Sequence, residues 1–262
     1  MGCVVLGRVP ASAGTDSQTR LDSMFERYLR QLDVFGTDGQ IQLAKASALV
    51  VGAGGLGSGL LYNLAGLGVG KLGVVDGDHV EISNLNRQFL YRNQDLGKQK
   101  SELAYGRLAD FNPEISIKAF NKRVNEENIT DLMKGYDIVV TAVDNIKTRL
   151  LVNEAAFCQK IPVVDGGVDG WLGMVSSVCG GKPPCLQCFY GKKPSVFDRA
   201  PSSTSPVVTL ISSLQATVTA SVLLGKPNPL KNRVLVFDGR TMEFDSLASH
   251  ANPHCSVCSL AV

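Results

Sequence analysis

The chain has 262 residues, of which 44% are hydrophobic and 19% charged, and its formal net charge at pH 7 is +2. Such a length and apolar share can bury a sizeable core, as one large α/β domain or one domain with a modest appendage. The near-neutral balance excludes a general polyanion-binding surface, and nucleic acid is not an expected partner.

The N-terminal run Met1-Gly2-Cys3-Val4-Val5-Leu6 lacks the basic n-region and full apolar segment of a secretory signal. Leu6 stands where an N-myristoylation motif requires Ser or Thr. Residues 1–22 show no hydrophobic periodicity and read as a disordered tail, with one domain following over 23–262. Ordered sequence is expected from about Met24, where Phe25, Tyr28, Leu29 and Leu32 recur at helical spacing.

Ser47-Ala-Leu-Val-Val51 reads as a buried strand closed by Gly52-Ala-Gly-Gly-Leu-Gly57, then a helix to about Leu67 and a strand Lys71–Asp76. Strand, glycine turn, helix and strand make one βαβ unit, which implies a parallel sheet with a right-handed crossover. The alternation continues with helices expected near Lys98–Asp110, Asn125–Lys134 and Lys147–Gln159, and strands near Ile115–Ala119, Asp137–Val143 and Ile161–Asp165.

After Gly166-Gly167 the pattern changes to short strands, a Pro183-Pro184 segment and a hairpin over Arg233–Phe237 and Met242–Ser246, all of which suggest antiparallel additions. Pro206–Leu224 is mostly apolar. Thr209, Ser212, Ser213, Gln215, Thr217, Thr219 and Ser221 interrupt it too often for a lipid-facing span. It reads as a buried helix or subunit contact in a soluble, cytoplasmic protein without a membrane partner. The expected fold is α/β: a Rossmann-like, mostly parallel sheet with helices on both faces, extended by antiparallel strands.

Three motifs carry chemistry. The glycines of the first turn let backbone approach a phosphate, and the following helix offers free N–H groups and a positive dipole end. Asp76 ends the second strand at the place where an acid binds ribose hydroxyls, about 20 residues on. This pair alone fits a nicotinamide-dependent oxidoreductase equally well, and a glycine turn can also serve packing alone.

Cys185-Leu-Gln-Cys188 and Cys255-Ser-Val-Cys258 are two knuckles flanked by turn formers, and their four thiolates can complete a tetrahedral zinc shell. Their wide separation describes a structural staple rather than a zinc ribbon; redox disulfides and a coincidence of spacing are the competing readings. Cys3, Cys158 and Cys179 read as ordinary thiols, the latter two buried in regular structure.

The third motif runs from Asp76 through Asp78, Ser83, Asn84, Arg87 and Gln88 to Lys100, with Asp144-Asn145 at a later strand end. Hydride transfer needs no Arg and Lys cluster beyond the glycine loop, whereas a departing pyrophosphate does. An acid at a strand end can hold Mg²⁺ on phosphates. Singly, Arg87 and Lys100 read as solvated charges and Asp144-Asn145 as a helix cap.

Together with Arg27-Tyr28-Leu29-Arg30-Gln31, these motifs resemble the ThiF/MoeB/HesA family of prokaryotic relatives of ubiquitin-activating enzymes, in order from about Met24 to Cys258. The resemblance implies ATP- and Mg²⁺-dependent adenylylation of the C-terminal carboxylate of a small ubiquitin-like sulfur-carrier protein ending in Gly-Gly. It implies that Gly52, Gly54, Gly55 and Gly57 cradle the nucleotide and Asp76 takes the ribose, with Asp78, Gln88 and Asn145 also binding the nucleotide. Asn84, Arg87 and Lys100 would contact the triphosphate, Asp144 would bind Mg²⁺, and Arg30 would reach the partner's phosphates in a homodimer. The loop Phe197–Ser205 holds Asp198 where some members carry a reactive cysteine. That argues against a covalent intermediate and for a separate sulfur-donor protein. Adenylation of a peptide or small carboxylic acid, an oxidoreductase and a zinc-stapled interaction module are the other readings.

Overall fold

The structure, a computed structural model, describes residues 16–191 and 201–259. It divides into two compact units that part between Gln40 and Ile41, rather than after residue 22. Helix α1 spans Asp16–Lys45 and is interrupted at Gly36, whose φ of 71° only glycine adopts at low cost. Gln31 Nε2 donates to Gln40 Oε1 at 2.7 Å across the interruption. Residues 16–22, expected in the tail, are helical. Extending an existing helix avoids the nucleation cost, and Gln18, Arg20 and Leu21 are good helix formers. Residues 1–15 lie outside the described residues.

The second unit is built on an eight-stranded sheet in the order β3-β2-β1-β4-β5-β6-β7-β8. Its parallel strands are β1 (Ser47–Val51), β2 (Lys71–Val75), β3 (Ser116–Phe120), β4 (Ile138–Thr141) and β5 (Val163–Asp169). Every residue of β1 and β4 is buried, which is why both read as unbroken apolar runs. The helices between them are α2 (Gly55–Leu67), α3 (Lys100–Phe111), α4 (Ile129–Met133) and α5 (Ile146–Gln159). From the central pair β1 and β4, the crossovers step outward in opposite directions. Right-handed connections therefore place α2 and α5 on opposite faces. The reversal leaves a crevice beyond the carboxyl ends of β1 and β4, where such sheets bind ligands.

Helix α4 is shorter than the expected Asn125–Lys134. Asn125 and Asn128 each accept the other's backbone N–H at 3.0 Å, a local turn that competes with helix.

The antiparallel extension is β6 (Leu172–Val178), β7 (Arg233–Asp238) and β8 (Glu243–Ala248), with α6 (Leu186–Tyr190) and α7 (Ser205–Leu223) between β6 and β7. Helix α7 is long and apolar enough to cross a membrane by composition, yet it packs on α2, β5 and β6. Gln215 reaches through the core to donate to Thr141 O at 2.9 Å. On its outer side Thr209, Ser213, Thr217 and Ser221 return their hydroxyls to carbonyls one turn back. Core burial accounts for the apolar circumference of α7, so this helix gives no argument for a subunit contact.

Candidate functional site

The crevice is an open cleft of about 440 Å³. Its floor is the turn between β1 and α2. Gly52 has φ 100°, and a Cβ there would lie 2.6 Å from Ala142 O. A Cβ on Gly57 would collide with Gly52 O, so Gly57 seats α2 against the turn and does not itself line the cleft. Gly54 and Gly55 do line it, at the N-terminus of α2, where the first-turn N–H groups face an anion without competition from a capping side chain. Tyr91 donates to Ala53 O at 2.7 Å and lies 3.4 Å from Lys100 O, tying this turn to the start of α3. Burial keeps the Tyr91 phenol protonated by pushing it far up, with Asp76 adding to the effect.

Asp76 accepts Ala53 N at 2.7 Å and Asp78 N at 2.8 Å, one on each carboxylate oxygen. Burial raises its pKa, against the pull of these N–H groups and of Lys100. The remaining lone pairs are available to a pair of vicinal hydroxyls. The Asp78 carboxylate lies between two cations, 2.8 Å from Arg123 Nη2 and 3.8 Å from Lys100 Nζ. The Lys100 side chain is only 7% exposed. A buried ammonium so loosely paired calls for a further anion.

Arg87 is half-buried on the cleft wall, held by Ser83 O at 2.9 Å and Asn86 Oδ1 at 3.0 Å. Gln88 is buried beside Gly54, and its Oε1 has no hydrogen-bond partner among the described residues, leaving an acceptor for a ligand donor.

Asp144 and Asn145 follow β4 on the opposite wall, both exposed. Asn145 is the N-cap of α5, accepting Thr148 N at 2.8 Å. The Asp144 carboxylate is left to the cleft, with a 3.4 Å contact from Asn145 Nδ2. Hard oxygen ligation of a divalent cation fits that carboxylate.

Besides Gly57, one further expected site residue stands outside the cleft. Asn84 does not line the cleft; its Oδ1 accepts Glu81 N at 3.2 Å and closes the short 3₁₀ turn Ile82–Asn84 that delivers Arg87 and Gln88. Its amide is drawn into this cap because a helical start must satisfy its own N–H groups. Arg30 is exposed on α1 in the first unit.

The cleft also contains residues that no motif singled out. Lys122 and Arg123 follow β3, and their signal was position alone, the carboxyl end of a parallel strand. Arg149, one turn into α5, pairs with Asp165 on β5 at 3.1 Å and donates to Val143 O at 2.6 Å. Burial opposes the Arg149 charge, and Asp165 together with Tyr190 more than restores it. Tyr190 donates to Asp165 Oδ2 at 2.7 Å and accepts from Arg149 Nη1 at 3.3 Å. Its phenol is pushed far up by burial and then by Asp165, so it stays a donor. Thr141 completes the network with a short hydrogen bond to Asp165.

The four sulfurs of Cys185, Cys188, Cys255 and Cys258 all lie within 4.8 Å of one another. Cys185 Sγ is 3.7 Å from Cys255 Sγ, and Cys188 Sγ is 3.3 Å from Cys258 Sγ. A tetrahedron with metal–sulfur bonds of about 2.3 Å has edges of about 3.8 Å, so the cluster has the shape of a closed four-thiolate metal site. Cys158 and Cys179, expected to be buried, are exposed. The buried stripe of α5 is Arg149, Val152, Asn153 and Ala156, and Cys158 projects from the other side; Cys179 lies just beyond the end of β6. Neither lines the cleft. Asp198 lies outside the described residues.

The profile of the ThiF family matches residues 27–257. The chain is 39% identical over 246 residues to a sulfur carrier protein adenylyltransferase of Thermus thermophilus, covering 89% of this chain and 90% of the relative. It is 34% identical over 242 residues to a SAMP-activating enzyme E1 of Haloferax volcanii, covering 90% and 89%. Among solved structures, MccB of E. coli with ATP superposes with a TM-score of 0.78 at 25% identity, over 88% of this chain and 73% of that one.

Proposed function

The chain belongs to the ThiF family, and from that premise we propose that it uses ATP to adenylylate the C-terminal glycine carboxylate of a small ubiquitin-like sulfur-carrier protein. The observation that carries this reading is one cleft joining the α2 N-terminus, Asp76, Arg87, Lys100 and Asp144. The Thermus relative is named for adenylylating a sulfur carrier protein, and the Haloferax relative for activating SAMP.

The carrier carboxylate is ionised at neutral pH and needs no general base. One of its oxygens attacks the α-phosphorus, the bond from that phosphorus to the bridging oxygen breaks, and pyrophosphate departs with the charge. Asp76 anchors the ribose, Gly54 and Gly55 let the phosphates approach the helix N-terminus, and Arg87 with the buried Lys100 neutralises the leaving group. Asp144 would hold Mg²⁺, which would supply charge neutralisation at the phosphates. Cys185, Cys188, Cys255 and Cys258 would hold zinc as a structural ion, a reading supported by the sulfur spacings. Because neither exposed cysteine among the described residues lines the cleft, the acyl-adenylate waits for sulfur from a separate donor protein.

ATP–pyrophosphate exchange tests the reading. Exchange is expected with a carrier ending in Gly-Gly and lost when its last glycine is removed. Exchange that instead follows a short peptide or small carboxylic acid, with carriers inert, would overturn the substrate assignment.

The working unit is a homodimer in which Arg30 completes the neighbour's phosphate site. Ile82 (68% exposed) and Phe89 (51% exposed), on either side of Arg87 in sequence, are large apolar side chains that a second chain could cover. Mixing inactive Arg30→Ala and Asp144→Ala chains under verified subunit exchange is expected to restore activity, because some heterodimers hold one intact site. No recovery means that Arg30 does not act across the interface.

A further inference from the structure

The buried network behind Asp144 takes no part in the chemistry above. A buried ion pair is weak evidence for stability, since apolar residues of similar volume often serve as well. What Arg149 and Asp165 do provide is direction. Arg149 sends one nitrogen to Asp165 and the other to Val143 O at 2.6 Å, which fixes the peptide joining Val143 to Asp144. Asp165 is in turn held by Thr141 and by Tyr190.

Tyr190 is the last residue of α6, a five-residue helix capped by Cys185 and containing Cys188. That helix is also tied to α5, where Leu186 N donates to Asn153 Oδ1 at 2.9 Å. A helix this short has little hold of its own, so the cysteine cluster and α5 determine where the Tyr190 hydroxyl stands.

We propose that Tyr190 is a positioning residue: acting through Asp165 and Arg149, it orients the turn that carries Asp144 and so couples the cysteine-cluster helix to the metal side of the ATP cleft. This rests on the reading of Asp144 as the Mg²⁺ ligand.

Calorimetric titration of ATP, with Mg²⁺ and in Mg²⁺-free buffer without chelator, separates this role from general support of the fold. Tyr190→Phe removes one oxygen and keeps the ring packing. It is expected to weaken ATP binding about tenfold with Mg²⁺, the loss of a hydrogen bond to a charged group, and less than about twofold without it. Zinc content and circular dichroism should be unchanged. Arg149→Lys should show the same pattern, and the double variant should be no worse than Arg149→Lys alone.

Equal weakening in both buffers, or none in either, overturns the positioning role. Asp144→Asn separates the premise from the inference. If Asp144→Asn retains the whole Mg²⁺-dependent gain, the Asp144 assignment is lost and the coupling falls with it. If Asp144→Asn loses the gain and Tyr190→Phe does not, only the coupling is lost.

Discussion

Asp144→Ala is expected to lower ATP–pyrophosphate exchange by about 10²–10³ while leaving the fold intact. The magnitude is that of removing one preorganised charge partner from a transition state. The structure separates this role from helix capping, because Asn145 accepts the Thr148 N–H and Asp144 does not. Asp144 is exposed and, among the described residues, held only by a 3.4 Å contact from Asn145, so its removal should alter stability by less than about 0.5 kcal/mol. Asn145→Ala should behave in the opposite sense, losing about 1 kcal/mol of stability through the cap with a smaller effect on rate. Exchange assays and thermal melts on the two variants distinguish the roles. Near-normal exchange by Asp144→Ala would remove the metal anchor from the mechanism.

Loss of metal from the four-cysteine cluster should have the largest effect on stability. Structural zinc held by four thiolates contributes on the order of 10 kcal/mol, comparable with the whole stability of an ordinary domain. Here the ion would close a long excursion, since Cys188 and Cys258 lie at either end of α7, β7 and β8. Without it, α6 and the C-terminal segment would have to be held together by Phe157 and Val257, the partly buried apolar side chains packed on the cluster. Metal analysis should give one zinc per chain. Cys255→Ser should lose that zinc and lower the melting temperature steeply, with protection from hydrogen exchange lost first around α6 and residues 252–258. No stoichiometric metal in the wild type, together with an unchanged melting temperature in Cys255→Ser, would dismiss the staple.

The sequence by itself determined the features that depend on local rules. The βαβ alternation was legible because buried parallel strands are short apolar runs and helices repeat every 3.6 residues. The glycine turn, Asp76 and the two cysteine pairs were legible because each motif demands fixed spacing along the chain. Tertiary structure alone decided the rest. Arg149 and Asp165 sit on different elements, and nothing local marks either as the other's partner. Arg123 joins the cleft only because β3 pairs with β2. Cys158 and Cys179 came to the surface, and the apolar circumference of α7 went into the core. In each case the outcome rests on which surfaces meet across the sheet. Periodicity shows that a face must be covered, and packing between distant segments decides what covers it.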